Sequence, residues 1–94
     1  MTYLKVQWHH NIAMEPVLLL SELDNERYEL RKIEIFADGR LGFASEQSST
    51  MGTTLSESPL PEAEEIAKDA QFTVLPLSAS EFETTWEKAT ERQP

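Results

Sequence analysis

The stretch from Arg27 to Ala44, RYELRKIEIFADGRLGFA, narrows the folds open to this chain more than any other. Two runs with apolar residues at alternate positions flank Asp38-Gly39. A tight β-turn that follows the twist of its strands needs positive φ at its centre, which Asp-Gly adopts at low cost. A two-residue turn here pairs Phe36 with Leu41, Ile35 with Gly42 and Ile33 with Ala44. One face of the hairpin then carries Ile33, Ile35, Gly42 and Ala44, where large residues sit opposite small ones and leave room for a helix. The other carries Glu34, Phe36, Leu41 and Phe43, an apolar surface with one charge and no evident cover. Tyr28 and Leu30 have the opposite parity to Ile33 and Ile35, so a bulge or sharp twist is expected at Arg31 or Lys32.

The flanking sequence extends the sheet. Tyr3 to His9 alternates, with Leu4, Val6 and Trp8 forming the core-facing set of a half-buried strand. Val17 to Leu23, opened by Pro16 and closed by Asp24-Asn25-Glu26, reads as a second strand and a turn into the hairpin. From Ser45 to Ser58 the composition shifts to Ser and Thr, with Met51 and Leu55 the only large apolar groups, which reads as a flexible loop. Pro61 and the acidic residues after it open a short helix to about Asp69. Phe72 to Leu77 is an edge strand, limited by Pro76. Ser78 and Glu81 have the spacing of a capping box, and Leu77 and Phe82 that of a hydrophobic staple, at the start of a last helix. Phe82, Trp86 and Ala89 form its apolar stripe. The expected fold is α+β: a meander of about four antiparallel strands, a fifth edge strand, a short helix, and a C-terminal helix packed on one sheet face.

Ninety-four residues make one domain, 1–94. The chain has no cysteine and therefore no disulfide framework or thiolate metal site, which fits a reducing compartment, with the cytoplasm as the default. MTYLKVQW lacks the layout of a secretory signal, and the longest clearly apolar run, Val17 to Leu20, is far below the ~20 residues of a membrane span. Net charge is −9 and unevenly placed. Through Ser45 there are five Lys/Arg against seven Asp/Glu; from Glu46 there are three against ten. That balance excludes a nucleic-acid footprint, which is basic, and is compatible with a basic protein partner.

Chemistry-bearing patterns are sparse. His9 and His10 are adjacent, so within a strand they point to opposite faces and cannot share one metal or one site. No HxxxH or HExxH spacing, GxSxG elbow, phosphate-binding glycine loop or cysteine nucleophile is present. A carboxylate pair for hydrolysis would have to come from Glu15, Glu22, Glu29 and Glu34, none of which stands out. No catalytic residue, metal ligand or cofactor is therefore assigned. The strongest surface signal is charge. Glu83, Glu87 and Glu91 form a column at i, i+4, i+8 on the last helix, flanked by Lys88 and Arg92. Glu62, Glu65 and Asp69 form another at i, i+3, i+7 on the short helix. Such columns are either a solvated face or a patch that steers a basic protein into contact, with Phe36, Leu41 and Phe43 as apolar anchors.

The segments YLKVQWHH, EPVLLLSE, RYELRKIEIFADGRLGFA and LPEAEEIAKD together resemble a family of small bacterial proteins described only as a domain of unknown function. The resemblance spans nearly the whole chain and implies a single bacterial domain with no assigned reaction. In size and acidity the chain is also similar to immunity proteins that block a cognate bacterial toxin by binding it, a class likeness without residue correspondence. The leading reading is a non-enzymatic acidic protein-binding module, with toxin neutralisation its most concrete form. Two alternatives stand beside it: a homodimer built on Phe36, Leu41 and Phe43, and a small hydrolase or ligand-binding protein centred on Trp8, His9 and His10.

Overall fold

The computed structural model describes residues 1–50 and 52–91; Met51 of the Ser/Thr-rich loop and Arg92 beside the acidic column lie outside the described residues. Five strands, β1 (Thr2–Trp8), β2 (Leu18–Leu23), β3 (Glu29–Ile35), β4 (Leu41–Ser45) and β5 (Phe72–Leu75), form one antiparallel sheet in the order β4-β3-β2-β1-β5. Helix α1 (Ala63–Ala67) lies between β4 and β5 in the chain, and α2 (Ala79–Glu91) follows β5. The α+β meander with an added edge strand is the expected architecture.

The central hairpin differs by one residue from the expected register. Ile35 pairs with Leu41, Ile33 with Phe43 and Lys32 with Ala44. The Gly39 amide donates to the Phe36 carbonyl at 2.9 Å and the Phe36 amide to the Arg40 carbonyl at 3.0 Å, so the loop has three residues. Gly39 alone takes positive φ there, 92°, whereas a two-residue turn would require it of Asp38 as well. The Asp38 carboxylate accepts from the Arg40 amide and from Arg40 Nε, at 3.1 and 2.7 Å, which favours this longer loop. Those bonds, led by the one from the Arg40 amide, hold the Asp38 carboxyl below its ordinary pKa.

A one-residue shift exchanges every side chain between faces. Phe43 and Leu41 therefore share the face of Ile33 and Ile35, while Gly42 and Ala44 turn to the other side with Lys32 and Glu34. The expected uncovered surface of Phe36, Leu41 and Phe43 does not form. Phe43 is 7% exposed beneath α2, Leu41 packs against the same cluster, and Phe36 is 7% exposed with the Arg40 guanidinium 5.1 Å from its ring. The expected break in β3 is real but lies at Leu30: Glu22 pairs with Arg31 and Leu23 with Glu29, leaving one extra residue on β3.

Helix α2 packs on the face carrying Leu20, Ile33 and Phe43, to which it adds Phe82 and Ala89. Ser78 Oγ accepts the Glu81 amide at 3.0 Å, an N-cap as anticipated. Glu81 does not return the bond as a capping box would; its carboxylate meets Lys5 Nζ at 2.8 Å instead. The opposite face holds Leu4, Val6 and Leu23, covered partly by Ala63 and Ile66 of α1, Leu60, Phe72 and Val74. Helix α1 is shorter than the sequence suggests: Pro61 and Glu62 precede it, and Glu62 occupies the N-cap without a side-chain cap bond.

The Ser/Thr-rich segment is anchored to β3 rather than standing clear of it. The Thr53 hydroxyl donates to Glu34 at 2.9 Å, the Ser56 amide to Glu29 at 2.7 Å, and Lys32 Nζ to the Thr54 carbonyl at 3.3 Å. Its far end is clasped by Arg27, whose φ of 69° is the one positive value outside glycine among the described residues. The Arg27 carbonyl accepts the Leu60 amide at 2.9 Å, and its guanidinium donates to the Leu60 and Pro61 carbonyls at 2.9 and 2.6 Å. These bonds hold a left-handed conformation that disfavours side chains with a Cβ, and they fix where α1 begins.

Candidate functional site

Arg31 is the densest polar centre of the α2 face. It projects from β3 with its guanidinium 4.9 Å from the Phe82 ring and 5.0 Å from that of Trp86. Its Nε and Nη2 donate to the two Glu22 oxygens at 2.7 and 2.9 Å, and it also pairs with Glu83 of α2. The Tyr3 hydroxyl donates to the same Glu22 carboxylate at 2.9 Å. The Arg31 bonds, aided by Tyr3 and opposed by burial, hold the Glu22 carboxyl below its ordinary pKa. The Tyr3 phenol is raised, chiefly by its bond to that anion. Arg31 itself is held still more firmly protonated by the Glu22 and Glu83 bonds. Every strong partner in this cluster belongs to the fold, so the cluster joins α2 to the sheet.

The two acidic sets lie on opposite sides of the sheet and do not form one patch, and the expected column on the short helix is broken because α1 spans only Ala63–Ala67, with Glu62 at its N-cap and Asp69 beyond its C-cap. Glu83 is tied to Arg31, Glu62 to Arg27 at 3.6 Å and Glu65 to Lys68 at 3.2 Å. Glu87, Glu91 and Asp69 are exposed and make no ion pair among the described residues. The accessible unbalanced charge is therefore smaller than the columns suggest and is divided between Glu87 and Glu91 on α2 and Asp69 beyond the end of α1.

Trp8, His9 and His10 are neighbours without converging. Trp8 and His10 rings meet edge to face with centroids 4.3 Å apart. His9 Nε2 lies 2.6 Å from Thr73 Oγ1 on β5. His10 Nδ1 accepts the Ile12 amide at 2.9 Å, which leaves Nε2 to donate to the Pro16 carbonyl at 2.8 Å. Its ring thereby braces the β1–β2 loop as the neutral Nε2–H tautomer. Three of the four candidate carboxylates are similarly committed: Glu22 to Arg31, Glu34 to Thr53, and Glu29 to Ser21 Oγ at 2.7 Å and the Ser56 amide, while Glu15 is exposed in the β1–β2 loop, away from them in the chain. Among the described residues no three His, Cys, Asp or Glu side chains gather as metal ligands do.

One feature of the sheet's other face escaped the sequence reading. Between α1, Leu60-Pro61 and strands β1 to β3 lies a cavity of about 250 Å³, walled by Leu4, Val6, Leu19, Ile66 and Phe72. Its signal was the run Val17 to Leu20: a strand apolar at consecutive positions has both faces to bury, and only one is covered by α2. A second, more polar cleft of about 340 Å³ runs beside Arg31, Ser45 and Trp86.

These features define a small α+β domain: a five-stranded antiparallel sheet between two unequal helices, with an acidic sequence and an apolar cavity beneath the shorter helix. The chain belongs to the family described as Domain of unknown function (DUF6881), whose match covers residues 2–91. Comparison with curated proteins and with solved structures finds no match. No helix among the described residues is long and apolar enough to cross a membrane.

Proposed function

We propose that the chain is a non-enzymatic protein-binding module for a basic partner, most concretely an immunity protein that neutralises a cognate bacterial toxin by covering its basic active site. The observation that carries this reading is the exposed pair Glu87 and Glu91 on the outer side of α2, within a second half that holds ten acidic residues against three basic ones. Unbalanced rim carboxylates raise the association rate with a basic surface and repel acidic competitors. The committed hydrogen bonds of His10, Glu22, Glu29 and Glu34 favour binding over catalysis, because a general acid or base must face its substrate.

The test uses the double variant Glu87→Lys/Glu91→Lys. Glu83 is left intact, since reversing it would place a like charge against Arg31. The expected result is that immobilised wild type retains basic proteins from its native host at low ionic strength, and that the variant and added salt both abolish retention. Retention of the same proteins by both forms would reduce the α2 carboxylates to a solvated face.

A further inference from the structure

We infer that the cavity beneath α1 receives a single apolar side chain, an aromatic one in particular, from a basic segment of the protein partner; this rests on the protein-binding reading above. The cavity exists because α1 has five residues and cannot roof the sheet as the thirteen-residue α2 does on the other side. Leu60, Ile66 and Phe72 are left half-buried around it.

Its chemistry selects an apolar occupant. The polar residues at its edge are already satisfied: Ser21 donates to Glu29, Glu29 accepts the Ser56 amide, and Lys32 reaches the Thr54 carbonyl. No buried side-chain nitrogen or oxygen among the described residues lacks a partner. An apolar group entering here disturbs none of these bonds, whereas a polar head would have to compete with them for Lys32 and Glu29 and would lose part of its hydration. The volume points the same way. A dry cavity of about 150 Å³ holds benzene, and sites for larger organic ligands begin at about 300 Å³. The cavity's roughly 250 Å³ matches one large aromatic side chain, the usual anchor of a protein interface.

Charge at the mouth selects what flanks that anchor. Glu62, the N-cap of α1, and Asp69, just past its C-cap Lys68, flank the short helix whose Ile66 forms part of the cavity wall. The nearby cations are each held by a carboxylate: Arg27 by Glu62 at 3.6 Å, Lys32 by Glu29 at 3.7 Å and Lys68 by Glu65 at 3.2 Å. Exposed Glu64 and Asp69 have no such counter-charge among the described residues. A side chain entering here is favoured when its neighbours are Lys or Arg.

The experiment is an amide chemical-shift titration of the ¹⁵N-labelled chain with end-capped Lys-Trp-Lys, Glu-Trp-Glu and Lys-Ala-Lys, and with indole alone. Lys-Trp-Lys is expected to shift Val6, Leu19, Ile66 and Phe72. It should bind at least about threefold more tightly than Glu-Trp-Glu, the ratio that exposed charge contacts give. Lys-Ala-Lys should leave those residues unshifted. Leu19→Trp and, independently, Leu60→Trp fill the space, and either folded variant should lose the response. Absence of shifts at these residues overturns the inference, as does an undiminished response in a filled variant. Equal binding of the two tryptophan peptides, or of indole and Lys-Trp-Lys, would mark a site for small apolar molecules and would also overturn it. The shifts are read at Val6, Leu19, Ile66 and Phe72, on the sheet face opposite α2, so failure here leaves the Glu87 and Glu91 reading to its own retention experiment.

Discussion

Replacing Arg31 with methionine isolates the contribution of the buried charge. Methionine preserves an apolar stem over Phe82 and Trp86 but leaves Glu22, 8% exposed, with Tyr3 as its remaining side-chain donor. Breaking a buried ion pair by removing one partner costs about 3 to 5 kcal/mol, whereas an exposed pair contributes about 1 kcal/mol or less. The Glu22 and Arg31 side chains are 10% and 21% exposed, so this contact lies near the buried limit; Glu83, 52% exposed, adds little. A loss of about 3 kcal/mol is expected for Arg31→Met. In urea, with a slope of about 1 to 1.5 kcal/mol per molar for a chain this small, the midpoint falls by about 2 to 3 M.

The same pair makes the loss depend on pH. Arg31 lowers the Glu22 pKa in the folded state relative to the unfolded one. The stabilisation is therefore fully present above the unfolded pKa, about 4.3, and disappears as pH falls through the lower folded value. With Arg31 gone, burial works to raise the Glu22 pKa in the variant, so the gap between wild type and Arg31→Met should be widest near pH 7 and narrow progressively as pH falls through the variant's value and then the lower wild-type one. Adding Glu22→Leu to the variant should restore part of the stability, because no buried carboxylate is then left unpaired. A loss under about 1 kcal/mol at pH 7, or a gap unchanged down to pH 2.5, would refute the reasoning.

Phe82→Ala should cost about 3 to 5 kcal/mol in chemical melts, since Phe82 is 0% exposed. Trp86→Ala should cost less than Phe82→Ala, because Trp86 is only partly buried against Phe43 and Phe82. Gly39→Ala should lose about 1 to 2 kcal/mol in thermal unfolding: its φ of 92° is unfavourable to a Cβ although the space around it is open. Thr53→Val should lose about 1 to 3 kcal/mol, because the valine keeps the shape of a residue 1% exposed but removes the donor to Glu34. Hydrogen exchange in that variant should rise first in residues 52 to 58, which share this anchor with the Ser56 and Thr54 contacts.

Local chemistry was enough to place the strands, the Ser78 cap and the Phe82-Trp86-Ala89 stripe, since each follows from short-range periodicity or a capping group adjacent in sequence. Charge and composition likewise set the acidic character and the absence of thiol chemistry without reference to any fold. The hairpin register was beyond such reasoning. Asp38-Gly39 suits a two-residue or a three-residue loop, the choice depends on small differences in backbone and Asp38–Arg40 hydrogen bonding, and a single residue moves Phe43 from one face of the sheet to the other. The Ser/Thr-rich loop was equally opaque, because its anchors, Glu29, Glu34 and Lys32, lie 20 or more residues away in the chain from Ser56, Thr53 and Thr54 in two cases and 19 in the third.

What the amino-acid order determined by itself was the set of elements and the sign of the surface. What only the tertiary structure decided was which faces are closed. Whether α1 roofs its side of the sheet depends on where Arg27 holds Leu60 and on how far five helical residues reach. Burial is a property of the whole assembly of elements rather than of any one of them, so the apolar surface expected on the hairpin became core beneath α2, and the open apolar site arose instead under the shorter helix.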